Sequence, residues 1–242
     1  PDSDGNIRFA RAYMGKLWIF VNNSGLYKID MSTFKIEGHY TLLTDYEGNS
    51  LRTFYIDKKG YIWFGTIDGI YIFDPTDGKL SHYKHSRTDP FSLPNNSIWE
   101  ISEDRQSNVW IGTYSGTLCY VNIDENNAFK TYHPQNSGLN HTPVSAFAED
   151  QQYLWVGTEG GGINRMNKAT GEFSYITSAN SITSNNIKSL ITDAGHNLWI
   201  STFMGGLDLY NVGRQKVTNF KHTKGAPHSL LVNDVRKTIL EG

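Results

Sequence analysis

The sequence predicts an all-β chain built from five near-copies of one unit, and two observations carry this prediction. The first is a tryptophan that returns inside a short apolar phrase, at gaps of 45, 47, 45 and 44 residues. The second is a set of turn residues that divides each unit into short strand-like runs. This period lies between the roughly 40–45 and roughly 50 residues of known propeller blades, so it predicts a β-propeller. The five residues are Trp18, Trp63, Trp110, Trp155 and Trp199.

The third unit shows the four predicted strands most clearly. Ser97–Ser102 reads as an inner strand, and Asp104 opens a turn because its side chain can bond its own backbone. The second, third and fourth strands are predicted at Val109–Thr113, Thr117–Asn122 and Phe129–Tyr132. Four short strands per repeat constitute one blade.

Small residues recur where the fold needs space. A glycine or serine stands two residues after the last four tryptophans, where it lets a neighbouring blade approach closely. Further glycines, such as Gly69 and Gly206, open the next hairpin, where a positive φ is often required. These residues specify shape and need no chemical explanation.

Composition narrows the possible partners. Hydrophobic residues make up 38% and charged residues 19% of the 242 residues, which favours a globular domain without membrane contact. Lys plus Arg number 22 against 24 Asp plus Glu, so no basic field points to nucleic acid. Cys119 is the sole cysteine, which excludes an internal disulfide and leaves the compartment undecided. We expect no cofactor.

We expect one propeller region over residues 1–242. The approximate repeats are 7–48, 49–94, 95–140, 141–183 and 184–230, followed by a partial repeat, 231–242, that matches the inner strand of a sixth. Either five blades close with the extra strand as a clasp, or the chain is an arc of a larger ring of about seven blades. The ending inside a repeat favours the arc, and with it a chain cut from a longer protein.

Several phrases resemble the two-component regulator propeller repeat over essentially the whole chain. They are clearest in Asp89–Ile98, Ile101–Asp104 and Val109–Thr113, and they recur around Asn185–Ile187. The first unit departs most, because it has Phe20-Val21 where Gly-Thr is expected.

The resemblance implies a sensor. Such repeats build the periplasmic sensor region of hybrid two-component systems, above all in Bacteroides, where the propeller detects a carbohydrate fragment and signals to a cytoplasmic histidine kinase. The implied partners are an oligosaccharide and the remainder of the sensor, which can form a homodimer. This segment itself would not be an enzyme. Two alternatives stay open: a propeller enzyme of the streptogramin lyase or quinoprotein type, and a protein-interaction scaffold.

Candidate binding residues are those that differ between repeats inside a repeated frame. The second residue of each inner strand falls near the mouth of the central channel and varies in this way. Cations and an aromatic ring there can stack on a sugar and pair with its carboxylate or sulfate. The alternative is that these long side chains pack between blades and extend to water. The residues are Arg52, Trp99, Ser145, Lys188 and Arg236, with Tyr114, Glu159, Phe203, His85 and Arg87 as weaker loop candidates.

No catalytic or metal site is predicted. The neighbours Glu103-Asp104 point to opposite faces of a strand, so they cannot share a substrate as paired carboxylates must. Glu149-Asp150 is excluded for the same reason. His82 and His85 have metal-ligand spacing but no third ligand in view.

Overall fold

The computed structural model describes residues 5–43, 51–114, 117–122, 128–132 and 137–240. These residues form twenty strands in five antiparallel four-stranded sheets, and each sheet follows chain order from its first to its fourth strand. We call the sheets blades 1 to 5. Over the described ranges there is no helix that could cross a membrane. The predicted all-β repeat architecture is confirmed.

The strands have the following bounds. Blade 1 contains β1 (Ile7–Tyr13), β2 (Lys16–Val21), β3 (Gly25–Asp30) and β4 (Ile36–Tyr40). Blade 2 contains β5 (Leu51–Ile56), β6 (Ile62–Thr66), β7 (Gly69–Phe73) and β8 (Leu80–Tyr83). Blade 3 contains β9 (Ile98–Glu103), β10 (Asn108–Thr113), β11 (Leu118–Asn122) and β12 (Lys130–Tyr132). Blade 4 contains β13 (Val144–Glu149), β14 (Tyr153–Thr158), β15 (Ile163–Asn167) and β16 (Phe173–Ile176). Blade 5 contains β17 (Ile187–Thr192), β18 (Asn197–Thr202), β19 (Gly206–Asn211) and β20 (Lys216–Phe220).

The apolar core is divided among the interfaces between successive blades. Four clusters of buried side chains occupy these interfaces, one for each pair of neighbours. In each, the repeated tryptophan of one blade packs on the next blade, as Trp63 of blade 2 does against Ile98 and Ile101 of blade 3. The tryptophan spacing therefore reports successive blade interfaces, as the sequence predicted.

Blade packing explains the small residue that stands two positions after the tryptophan in blades 2 to 5. A Cβ added to Gly112 would lie 2.8 Å from Val144 Cγ1 on the next inner strand. A Cβ on Gly65 would lie 2.7 Å from Ile98 Cγ2, which is also too close. In blades 2 to 4 this position is glycine because a larger side chain would push the neighbouring blade outward, whereas blade 1 has Phe20 and blade 5 has Ser201 here.

An aspartate accepts the indole N–H of the tryptophan in blades 2 to 5, and this aspartate is buried in blades 2 and 3. Asp104, which is 3% exposed, accepts backbone hydrogen bonds from Gln106 and Asn108 and the indole N–H of Trp110 at 2.7 Å. The sequence predicted the turn but not the bond to the indole. The equivalent indole bonds are Trp63 to Asp57 at 2.8 Å, Trp155 to Asp150 at 2.9 Å and Trp199 to Asp193 at 3.0 Å.

The blades form an open arc. The inner strands pack in succession, β1 on β5, β5 on β9, β9 on β13 and β13 on β17, whereas no comparable packing joins β1 to β17 among the described residues. This favours the predicted arc over a closed ring of five blades.

The segment predicted to be a sixth inner strand does not form a strand. An inner strand normally pairs with the second strand of its own blade. No described strand pairs with residues 231–240, so this segment is not part of a sheet. The segment nevertheless occupies the position of the next blade. Gly206 N–H donates to Asn233 O at 2.9 Å, as Gly69 N–H does to Asn96 O at the start of blade 3. The Ser201 and Thr238 hydroxyls also meet at 2.7 Å.

Candidate ligand-binding site at the channel mouth

The variable residue of each inner strand is the extra residue of a β-bulge. In blade 3, Ile98 pairs with Thr113 and Glu100 with Gly112, so Trp99 has no partner in the ladder. The same shift leaves one residue unpaired in every blade. Bulges redirect side chains and are enriched beside functional sites. We call these the bulge positions; they are Arg8, Arg52, Trp99, Ser145 and Lys188.

The inner strands line a central, open cavity of about 460 Å³. All five blades and residues 237–239 contribute to its wall, including Arg52, Ser145 and Lys188 at bulge positions. Its size falls within the range of small-molecule sites. Three of the predicted candidates therefore line one cavity.

Arg52 stacks on two aromatic rings of the neighbouring blade. Its guanidinium carbon lies 4.9 Å from the centroid of the Trp99 ring and 5.9 Å from that of Tyr114. The two ring centroids are 5.3 Å apart. Tyr114 is 53% exposed, and its N–H donates to Ser97 O at 2.9 Å, which fixes the loop. The cation of Arg52, which lines the cavity, therefore lies beside the exposed ring of Tyr114. We call these three residues the arginine cluster.

Lys188 occupies a different environment across the mouth. Its ammonium group forms an ion pair with Glu159 and lies 5.6 Å from the centroid of the Phe203 ring. The Lys188 and Glu159 side chains are 20% and 24% exposed, so the pair is partly shielded from water. We call these three residues the lysine cluster. The two clusters bring together three of the predicted inner-strand residues and three of the weaker loop candidates: Arg52, Trp99, Lys188, Tyr114, Glu159 and Phe203.

The remaining candidates have structural partners or lie elsewhere. Ser145 is buried, and its hydroxyl donates to Ile187 O at 2.7 Å, which links blades 4 and 5. Arg236 is exposed and pairs with Asp234 at 2.9 Å, two residues away. His85 bonds Leu93 O at 2.7 Å. The equivalent His222 bonds Leu230 O at 2.7 Å, so this histidine is a repeated loop element. Arg87 is exposed in the same loop, outside the cavity wall.

Two residues of the mouth escaped sequence reasoning. Arg8 is the bulge residue of blade 1 and donates to Leu51 O at 3.4 Å. Glu100 follows the bulge in blade 3 and lines the cavity, where loss of hydration raises its pKa to about 7. Lys237, Arg11 and a hydrogen bond to Thr53 act in the opposite direction. The position after each bulge also varies between units, and that variation was the available signal.

The excluded catalytic patterns have structural explanations. Asp104 and Asp150 hold indoles, and Glu103 accepts the Lys58 N–H at 2.7 Å across a blade interface. His82 stacks on Tyr71 with centroids 3.8 Å apart. In the part of the chain that the structure describes, no three His, Cys, Asp or Glu side chains are grouped to hold a metal ion.

A succession of four-stranded blades around a common cavity defines a β-propeller. Residues 45–68, 92–115 and 138–160 match the family model for the two-component regulator propeller. These three segments therefore match the two-component regulator propeller repeat that the sequence resemblance predicted.

The chain spans less than a third of the length of the relatives it matches. Histidine kinase P4 of Formosa agariphila is 26% identical over 236 residues, which cover 91% of this chain and 16% of that protein. The extracellular domain of a hybrid two-component system of B. thetaiotaomicron superposes with a TM-score of 0.72 at 24% identity, over 95% of this chain and 29% of that one. A second such domain gives 0.70 at 20% identity, over 89% and 30%. At these identities the likeness to the solved structures establishes the fold.

Proposed function

We propose that this chain is a ligand-binding segment of a two-component sensor, lying in the periplasm and signalling to a histidine kinase elsewhere in its protein. The family repeats and the similarity to a histidine kinase support the signalling role. The structural relatives are extracellular domains, which supports a position outside the cytoplasmic membrane. The segment binds and does not transform its ligand.

The ligand we propose is an oligosaccharide with a carboxylate or sulfate group. The observation that carries this proposal is the arginine cluster. An exposed guanidinium lies above two aromatic rings at the mouth of a cavity. Aromatic faces pack against the apolar face of a sugar ring, and arginine pairs with an anionic substituent through a bidentate geometry.

Calorimetry with a panel of neutral and anionic oligosaccharides tests this function. Arg52→Ala should weaken binding of an anionic sugar at least tenfold, roughly the value of one hydrogen bond to a charged group. Arg214→Ala, on the exposed β19–β20 turn, is the matched control and should leave the affinity unchanged. Absence of anionic-sugar binding by the unaltered protein, or equal affinity in Arg52→Ala, would contradict the proposal. Turnover of any oligosaccharide by the pure protein would restore the enzyme alternative.

A further inference from the structure

The two clusters at the mouth have related positions but different net charges, because one holds a cation that is unpaired among the described residues and the other an ion pair. The residue four positions after the repeated tryptophan is Tyr114 in blade 3, Glu159 in blade 4 and Phe203 in blade 5. Two of these contribute a ring beside a cation, whereas Glu159 contributes a carboxylate. Arg52 has no ion-pair partner within the described ranges, while Lys188 is neutralised by Glu159.

The backbone of Glu159 is fixed, whereas its side chain is held by the ion pair with Lys188. Its N–H donates to Pro143 O at 3.0 Å, and the residue forms an antiparallel bridge with Asn186. The carboxylate therefore can leave Lys188 by side-chain rotation, without a change in the blade. Lys188 lines the same cavity as Arg52, so a ligand that reaches both cations must compete with the Glu159 carboxylate.

We propose that Glu159 is an internal competitor that determines specificity at this mouth. It occupies Lys188 until an anionic group of the ligand replaces it. A ligand with one anionic group pairs with Arg52 and leaves the Glu159–Lys188 pair intact. A ligand with two such groups displaces Glu159 and gains the second cation. This inference rests on the proposed binding of anionic oligosaccharides.

The test measures the affinity for galacturonate, with one carboxylate, and digalacturonate, with two. Glu159→Gln keeps the side-chain shape and removes the charge, so it should raise the affinity for digalacturonate about tenfold, the effect of one charge-assisted hydrogen bond. The affinity for galacturonate should change by less than about twofold, because its one carboxylate pairs with Arg52 and does not compete with Glu159. Glu172→Gln, at the exposed β15–β16 turn, is the matched control and should change neither affinity.

A double-mutant cycle assigns the gain to Lys188. In Lys188→Ala the Glu159→Gln substitution should no longer raise the affinity, because the cation for which it competes is gone. Should Glu159→Gln fold poorly, Glu159→Asp shortens the side chain by one carbon and should give a smaller gain in the same direction.

The outcomes separate the two proposals. If Arg52→Ala weakens binding but Glu159→Gln leaves digalacturonate affinity unchanged or lower, the competitor role is wrong and the binding function stands. A gain that persists in Lys188→Ala also overturns the competitor role. If neither the unaltered protein nor Glu159→Gln binds either acid, the anionic-sugar function itself is wrong.

Discussion

The arginine cluster and the lysine cluster show how one backbone feature supports two kinds of site. Both are built on a bulge residue and the loop that follows the second strand. In the arginine cluster the cation lies above two rings, at 4.9 and 5.9 Å. In the lysine cluster the cation has one ring at 5.6 Å and a carboxylate partner. The difference teaches that the availability of a cation depends on the loop residue opposite it, and not on the cation alone.

The largest expected effect is a loss of stability, and it comes from a residue of the blade framework that belongs to neither cluster. Asp104→Ala removes the acceptor of the Trp110 indole and of two backbone N–H groups in a buried site. We expect a loss of about 3 kcal/mol in the free energy of unfolding, because buried donors are left unsatisfied. Thermal unfolding measures this loss. At a temperature where the variant is folded, the affinity for an anionic sugar should be unchanged, and a changed affinity would mean that the framework and the site are coupled.

The next variant gives the arginine cluster a carboxylate, as the lysine cluster has. Tyr114→Glu places a carboxylate beside Arg52, as Glu159 lies beside Lys188, so anionic-sugar affinity should fall about tenfold. Tyr114→Phe keeps the ring and should stay within about threefold, since only the hydroxyl is lost. Calorimetry at two salt concentrations checks both, because a new ion pair at this mouth should also reduce the salt dependence of binding. Equal affinities for the two variants would remove Tyr114 from the site.

The smallest expected effect concerns Glu100, which follows Trp99 in the chain and lines the cavity. Its raised pKa, about 7, means that the folded protein holds this proton more strongly than the unfolded chain does. The protonated Glu100 therefore contributes fully to the free energy of unfolding below the ordinary glutamate pKa. This contribution is lost as the pH rises from there to about 7, and it changes no further at higher pH. Glu100→Gln should therefore raise the melting temperature by about 3 °C at pH 8 and leave it unchanged at pH 4. A gain of equal size at both values would contradict the assignment.

The sequence predicted most of the framework because the framework repeats. Four strands in blade 3 begin and end within one residue of their predicted bounds. The close approach at Gly112 was also anticipated, since a missing side chain beside a repeated tryptophan has one simple explanation. The hydrogen bond between Asp104 and the Trp110 indole was not anticipated, because spacing along the chain does not reveal which side-chain atoms meet across a hairpin.

The sequence predicted which positions form the site but not which side chains contact one another there. Disagreement between repeats identified Arg52, Trp99 and Lys188, which are bulge residues in the structure. Sequence reasoning could not foresee that Arg52 reaches the rings of the next blade, whereas Lys188 meets a carboxylate. These contacts depend on the rotation between blades, which no local pattern encodes. Arg87 lies outside the cavity wall, in a loop between β8 and β9 that is closed by hydrogen bonds of Ser92 to Ser86 and Asp89.

The unpaired residue in each inner strand has a consequence for how such a protein can change over generations. Since that residue contributes nothing to the sheet ladder, its replacement leaves the strand register intact. Arg8, Arg52, Trp99 and Lys188 can thus be exchanged at little cost to folding, while Ser145 is constrained by its bond between blades. A propeller organised in this way can acquire new recognition properties through a few independent substitutions on an unaltered scaffold.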